Sequence, residues 1–199
     1  TPYAGVVLDL NEQLSAYASY TRIFAPQTSN DAAGNTLRPR VGQQFEAGLK
    51  GEWLNKQLNG RAAIFRMEDT NRAMTDPSNP LFSVASGKMR SQGVEAEVNG
   101  RIAPGWNLSL GYAYTQTKTL EGTQDEKAQI YTFIAPRHNF NLWTRYECAA
   151  GALEGFSVGA GLRSTSRMYR LNGDVKFSQG PVTTAALQIG YRFNKNLDA

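Results

Sequence analysis

Trp106-Asn-Leu-Ser-Leu-Gly-Tyr-Ala-Tyr-Thr-Gln-Thr-Lys118 is the stretch whose alternation decides the fold. Its even positions are Trp106, Leu108, Leu110, Tyr112 and Tyr114, and its odd positions are Asn107, Ser109, Gly111, Ala113, Thr115 and Thr117. Side chains point alternately to the two faces of a strand, so one face here is apolar and aromatic and the other small and polar. About 13 residues rising roughly 3.3 Å each span roughly 40 Å. A globular strand averages about five or six residues, whereas a tilted strand crossing a bilayer needs about 9–11. Trp106 lies at one end of the apolar face and Tyr112 and Tyr114 at the other, as in the two aromatic girdles of a membrane barrel. One long strand of a soluble sandwich would alternate in the same way, so the remaining chain has to decide.

Composition narrows the classes. The 199 residues carry 21 basic and 17 acidic side chains, a balance of +4. The basic residues are interspersed with acidic ones and form no nucleic-acid stripe. Mean hydropathy is -0.45, and no run of about 18 apolar residues occurs, so there is no transmembrane helix. Alternation halves the hydropathy of each strand, so a membrane barrel stays open as a reading. Nineteen glycines and 11% aromatics suit an all-β chain. The single Cys148 has no cysteine to pair with and no metal-ligand neighbours, and reads as a small buried or lipid-facing residue. The start, Thr1-Pro2-Tyr3, leads directly into a strand pattern, which points to a chain that begins inside something larger.

Taken in order, alternation predicts strands over residues 4–10, 14–26, 43–54, 58–71, 92–102, 106–118, 138–148, 156–169 and 182–193, about nine in all. In residues 43–54, Phe45, Ala47, Leu49, Gly51 and Trp53 oppose Gln44, Glu46, Gly48, Lys50 and Glu52. Facing is ambiguous around Ala62-Ala63-Ile64-Phe65, and Trp143 falls on a polar side. Short turns are expected at Asn11–Gln13, Asn55–Gln57, Ala103–Gly105 and Ala149–Gly155. Between them lie long segments, Gln27–Gly42, Met74–Arg90, Thr119–Arg137 and Arg170–Pro181, read as loops from their Gly, Pro and Asn breakers. A sandwich has no reason to place every short connection at one end. Outer-membrane barrels have short periplasmic turns and longer extracellular loops. The expected fold is therefore all-β, an antiparallel transmembrane β-barrel segment of meandering strands.

The second faces carry Glu46, Lys50, Glu52, Glu95, Glu97, Arg101, Arg145, Glu147, Arg163 and Arg192. Arg or Lys facing lipid at the bilayer midplane costs about 2–4 kcal/mol, so these ten are expected to line a lumen. Both signs occur on neighbouring strands, which suits cross-strand ion pairs and a wall against a polar plug. Catalysis is not expected. His138 is the only histidine and no Ser or Asp pattern accompanies it. No phosphate loop, C-x-x-C or H-E-x-x-H occurs, and no metal site or cofactor is predicted.

Several segments together resemble a family. Leu14-Ser-Ala-Tyr-Ala-Ser-Tyr-Thr-Arg-Ile-Phe-Ala-Pro-Gln27 resembles the Y-A-S-Y-T-x-I-F-x-P-Q strand of TonB-dependent ferric-siderophore receptors. Gly42-Gln-Gln-Phe-Glu-Ala-Gly-Leu-Lys-Gly-Glu52, Ala62-Ala-Ile-Phe-Arg66 with Asn71, Ser91-Gln-Gly-Val-Glu-Ala-Glu97, Pro104-Gly-Trp-Asn-Leu108 and Pro136-Arg-His-Asn-Phe140 follow in the family's order. The resemblance covers nearly the whole chain. It implies a Gram-negative outer-membrane receptor whose barrel of about 22 strands surrounds an N-terminal plug. Such receptors take up a ferric siderophore and are energised by TonB–ExbB–ExbD. Iron would be cargo on the siderophore and not a resident cofactor.

On this reading residues 1–199 form a partial barrel domain without the plug, the early strands or the final strands, and the sheet is expected to stay open and to need detergent or a partner. Siderophore sites in the family use aromatics and Arg near the extracellular end, which here singles out Phe24, Tyr131, Phe133, Arg167 and Tyr169. Competing readings are a receptor for another nutrient such as cobalamin or a glycan, a porin or adhesin barrel, and a soluble β-sandwich binding module.

Overall fold

A computed structural model describes residues 2–122, 136–172, 175–194 and 197–198. Its strands are β1 (Tyr3–Asp9), β2 (Leu14–Ala25), β3 (Arg40–Trp53), β4 (Leu58–Asp76), β5 (Asn79–Ala103), β6 (Trp106–Glu121), β7 (His138–Glu147), β8 (Phe156–Thr165), β9 (Met168–Asn172), β10 (Val175–Gln179), β11 (Val182–Asn194) and β12 (Leu197–Asp198). Ten of them form one sheet in the order β1-β2-β3-β4-β5-β6-β7-β8-β11-β12, each antiparallel to its neighbour, while β9 and β10 pair as a separate hairpin. The predicted strands correspond to β1–β8 and β11. The sheet does not close on itself among the described residues.

Register sorts the side chains into two faces. Across the middle of the sheet Ala18 opposes Ala47, Ala47 opposes Ile64, Ile64 opposes Val94, and Val94 opposes Tyr114. The next row down joins Ala16, Leu49, Ala62, Ala96, Tyr112 and Phe140. Among the described residues nothing is packed on this apolar face: Ile64 is 62% exposed, Ile189 77% and Leu187 84%. Only Leu37 and Ala63 are buried apolar residues among those described. A single layer with an uncovered apolar face is what a barrel wall is before lipid reaches it. The ambiguous stretch of β4 is settled by its partners, with Ala62 and Ile64 on the apolar face and Ala63 and Phe65 on the other.

Aromatics collect at the two ends of the apolar face. Near the long connections Tyr20 packs on Phe45 with ring centroids 4.9 Å apart, and Tyr114 packs on His138 at 5.0 Å. Near the short turns Trp106 meets Tyr146 at 6.4 Å, and Phe156 meets Tyr191 at 4.9 Å. Both bands step toward the short-turn end on passing from β3 to β11, since Phe45, Tyr114 and Phe140 lie in successively lower cross-strand rows. Strands tilted about 35–45° from the barrel axis require such a step.

Two expectations are corrected. The segment Met74–Arg90 is not a loop. β4 and β5 continue through it as one long hairpin that turns at Pro77-Ser78, with Ser78 N–H donating to Asp76 Oδ1 at 2.8 Å. The two Asx-Pro pairs that looked like loop signals sit at its tip, where residues 80–82 are skipped by the ladder and proline's missing N–H costs nothing. The other correction is in residues 156–169 and Arg170–Pro181. β8 ends at Thr165, and Met168 opens the β9–β10 hairpin that occupies most of the expected loop.

The arm formed by β4 and β5 bends at a bulge. Asn71 takes a left-handed backbone (φ 60°), and the register slips between Asp69 and Arg72. Gln27 locks the β2–β3 connection onto this point. Its amide nitrogen donates to the carbonyls of Arg38 (2.6 Å) and Asn71 (2.8 Å), and its oxygen accepts from the Ala73 N–H (2.9 Å).

Candidate functional site

The face opposite the apolar one is polar, and all ten residues expected to line a lumen lie on it. Glu46, Lys50 and Glu52 of β3 pair across to Phe65, Arg61 and Asn59, which fall on the same side as Glu95 and Glu97 of β5. Arg101 opposes Asn107, and Asn107 opposes Arg145, which opposes Gly159. Glu147 opposes Ser157, Arg163 opposes Asn141, and Arg192 reaches Glu147 from β11.

The centre of this face is a residue that alternation alone did not select. Arg61 of β4 holds three carboxylates: Nη1 lies 3.4 Å from Glu46, Nη2 3.6 Å from Glu95, and Nε 3.2 Å from Glu97. Glu46 also accepts from the Tyr17 hydroxyl at 2.5 Å and from Gln44 at 3.2 Å. Lys50 stands over the Tyr17 ring at 4.7 Å, within cation–π range. A second group lies at the C-terminal end, where Glu147 accepts Arg192 at 2.7 Å and approaches Arg145 at 3.6 Å, and Arg145 donates to Ser157 at 3.1 Å. Glu52 pairs with Lys56 in the adjacent turn at 3.7 Å. Arg101 and Arg163 have no ion pair among the described residues. Arg61 could have been found from sequence by asking which strand neighbour neutralises Glu95 and Glu97, but the apolar run after it hid its facing.

Trp143 belongs to this polar face, and its accommodation explains two glycines. It lies against Gly159 and Gly161 of β8, where an added Cβ would come within 2.9 and 2.6 Å of the indole. Only residues without a side chain let so large a ring lie flat on the wall.

The three ligand candidates among the described residues do not form one cluster. Phe24 shares the face of Tyr20, opposite the charged wall, because it is an even step along β2. Arg167 is exposed in the link between β8 and β9, and Tyr169 lies in β9 under the Lys176 ammonium at 4.6 Å. Tyr131 and Phe133 lie outside the described residues. Below the β9–β10 hairpin, Asn139, Arg163, Thr165, Met168 and Thr184 line an open concavity of about 530 Å³ on the charged side. No group of three or more His, Cys, Asp or Glu among the described residues has metal-site geometry.

This single-layer sheet, with its lipid-like face, girdles and charged reverse, invites comparison with known barrels. A sequence profile described as the β-barrel of TonB-dependent receptor-like proteins matches residues 1–199. The chain belongs to the TonB-dependent receptor β-barrel family. It is 41% identical to the ferric-pyoverdine M114 receptor PbuA of Pseudomonas sp. over 98% of the chain and 24% of that protein. The pyoverdine outer membrane receptor FpvA of Pseudomonas aeruginosa PAO1, solved bound to pyoverdine, superposes with a TM-score of 0.84 at 33% identity, covering 98% of this chain and 30% of the receptor. The ferric-catecholate import receptor Fiu of Escherichia coli K12 superposes at 0.81 with 29% identity, over 98% of this chain and 29% of its own. The chain spans about a quarter of the length of the curated relatives it matches. Its sheet is therefore a stretch of barrel of this family.

Proposed function

We propose that this chain forms part of the barrel wall of an outer-membrane receptor that imports a ferric siderophore into a Gram-negative cell. The observation that carries the reading is that proteins described as ferric-pyoverdine receptors match over 98–100% of this chain at 35–41% identity. The role is transport and not catalysis, and iron enters as cargo.

On this reading the apolar face meets lipid, and the Arg61 and Glu147 clusters line the lumen. The Arg61 cluster carries surplus acid and the Glu147 cluster surplus base, so the wall taken whole presents fixed, hydrogen-bonding charge of both signs. That suits contact with a polar plug domain supplied by the remainder of the receptor, which would also engage TonB–ExbB–ExbD. A substrate anion would be met nearer the extracellular end, where Arg163 stands in the concavity under the β9–β10 hairpin. Guanidinium recognises carboxylate, hydroxamate and catecholate oxygens by paired hydrogen bonds.

The test is uptake by the full-length receptor. Expressed in a receptor-deficient strain, it is expected to import radiolabelled iron as ferripyoverdine, and to lose import when TonB is deleted. Saturable binding of a non-siderophore nutrient, with no binding of ferripyoverdine, ferric hydroxamates or ferric catecholates, would overturn the proposal.

A further inference from the structure

The β4–β5 arm leaves the wall without strand neighbours. Pairing of β4 with β3 stops at Thr70 and Val41, and pairing of β5 with β6 stops at Lys88 and Glu121. Among the described residues, Ala73, Met74 and Thr75 of β4 and Ser83, Val84 and Ala85 of β5 therefore have only each other in the ladder. A two-stranded hairpin with water on both faces is marginal by itself. The connection between β2 and β3 is the chain that reaches it.

That connection, residues 26–39, is a strap closed on itself. Asn30 and Thr36 form an isolated antiparallel bridge, and the Leu37 N–H donates to the Ser29 carbonyl at 2.9 Å. Asp31 Oδ1 accepts the amides of Ala33 and Asn35 at 3.0 and 2.8 Å, an Asx turn in which Gly34 (φ 83°) supplies the left-handed residue. Leu37 is 8% exposed, where a freely solvated loop would leave a leucine open to water.

The strap grips both strands of the arm. On β4, Gln27 accepts from the Ala73 N–H and donates to the Asn71 carbonyl, and the Asn71 side-chain amide donates back to the Pro39 carbonyl at 3.1 Å. On β5, the Ser83 N–H donates to the Asn30 carbonyl at 3.0 Å, and Arg38 Nη2 donates to the Ala85 carbonyl at 2.9 Å. At the foot of the arm the Asp69 carboxylate is shared by Arg40, the first residue of β3, and Arg72, the first paired residue past the bulge. Asp69 is 7% exposed, and a carboxylate so covered depends on its partners. It thus ties the end of the strap to the base of the arm. We propose that strap and arm are one cooperative unit, with Asp69 as its keystone, so that neither opens without the other. The long-connection end of the receptor then presents this surface whole or not at all.

The test is hydrogen–deuterium exchange read by mass spectrometry on the full-length receptor in detergent, in peptides covering residues 27–39, 70–76 and 79–87. In the parent these three segments should share one opening rate. Gln27 bonds Arg38, Asn71 and Ala73 and nothing in 79–87 among the described residues. Gln27→Ala should nevertheless speed exchange in 79–87 by the same factor as in 70–76. One net hydrogen bond is worth about fivefold in an opening equilibrium, so the loss of Gln27 should be worth roughly tenfold to a hundredfold. Arg38→Ala, whose side chain reaches β5, should in turn speed 70–76, and Asp69→Asn should speed all three segments. Acceleration confined to the segment that each altered side chain touches overturns the proposal, as do three separate rates in the parent. Peptides of β6–β8 should keep the parent rate in every variant. If they accelerate as well, the arm is not a unit distinct from the wall and the proposal fails.

Discussion

Strand β4 carries two charge hubs of opposite construction, seven residues apart and on opposite faces. At Arg61 one guanidinium holds three carboxylates, and at Glu68 one carboxylate is held by two guanidiniums and an ammonium. The difference teaches how one strand serves two solvents. The inner hub is answered by neighbours such as Tyr17 and Gln44, which satisfy the surplus carboxylate oxygens within the wall. The outer hub leaves its surplus as positive charge pointing away from the protein.

The strongest way to break the contrast between faces is to put charge at the wrong one. In the full-length receptor Leu110→Arg, on the apolar face at mid-strand, is expected to destabilise by about 2–4 kcal/mol in bilayers. Ser109→Arg, one residue away on the polar face, should cost less than about 1 kcal/mol. Reversible denaturant unfolding in lipid vesicles checks the pair, and equal costs would mean that the face assignment is wrong.

A smaller effect is expected where the polar face admits a large ring. Gly161→Val should cost about 1–3 kcal/mol by overpacking against Trp143, with a shift in indole fluorescence. In a Trp143→Ala background the same substitution should cost distinctly less, and an undiminished cost would place the strain elsewhere.

Next come the hubs themselves. Arg61→Met leaves Glu46, Glu95 and Glu97 facing one another and is expected to destabilise by about 1 kcal/mol, since all are partly solvated. Added salt should recover much of this by screening the repulsion. A loss independent of salt would show that Arg61 matters through packing. The smallest effect is expected at the lock above the bulge. Gln27→Ala should leave global stability within about 0.5 kcal/mol yet speed hydrogen exchange at the Ala73 amide, because the arm opens locally.

How legible all this was in the sequence depended on the solvent each strand meets. β6 could be read by eye, since lipid on one side and water on the other enforce strict alternation from Trp106 to Thr117. The faces of Glu95, Glu97 and Arg145 followed from the same rule. Arg61 did not, because Ala63 and Phe65 put small and aromatic side chains on the polar face and blurred the alternation beside it. The β4–β5 arm was missed for a related reason. Beyond the bilayer both faces of a strand meet water, so apolar alternation fades while the ladder continues, and only Asp76-Pro77 and Asn79-Pro80 remained to be read. The outer hub was not read from the sequence, since the charged residues around Glu68 come from β2, β4, β5 and β6, which only register brings into line.

The bulge at Asn71 has one more consequence. Because it adds a residue to one side of the ladder only, Asp69 and Arg72 end on the same face and bond at 2.8 Å, joined by Arg40. Every side chain further out on that strand is displaced by half a pleat relative to the wall below. Ser86 supplies a matching extra residue on β5, between the pairs Arg72–Gly87 and Ala73–Ala85, so both strands of the arm leave the bulge turned over together. Turning the arm's two surfaces back would therefore take a paired change, one residue on each strand, while the rows below Asp69 and Met89 kept their register.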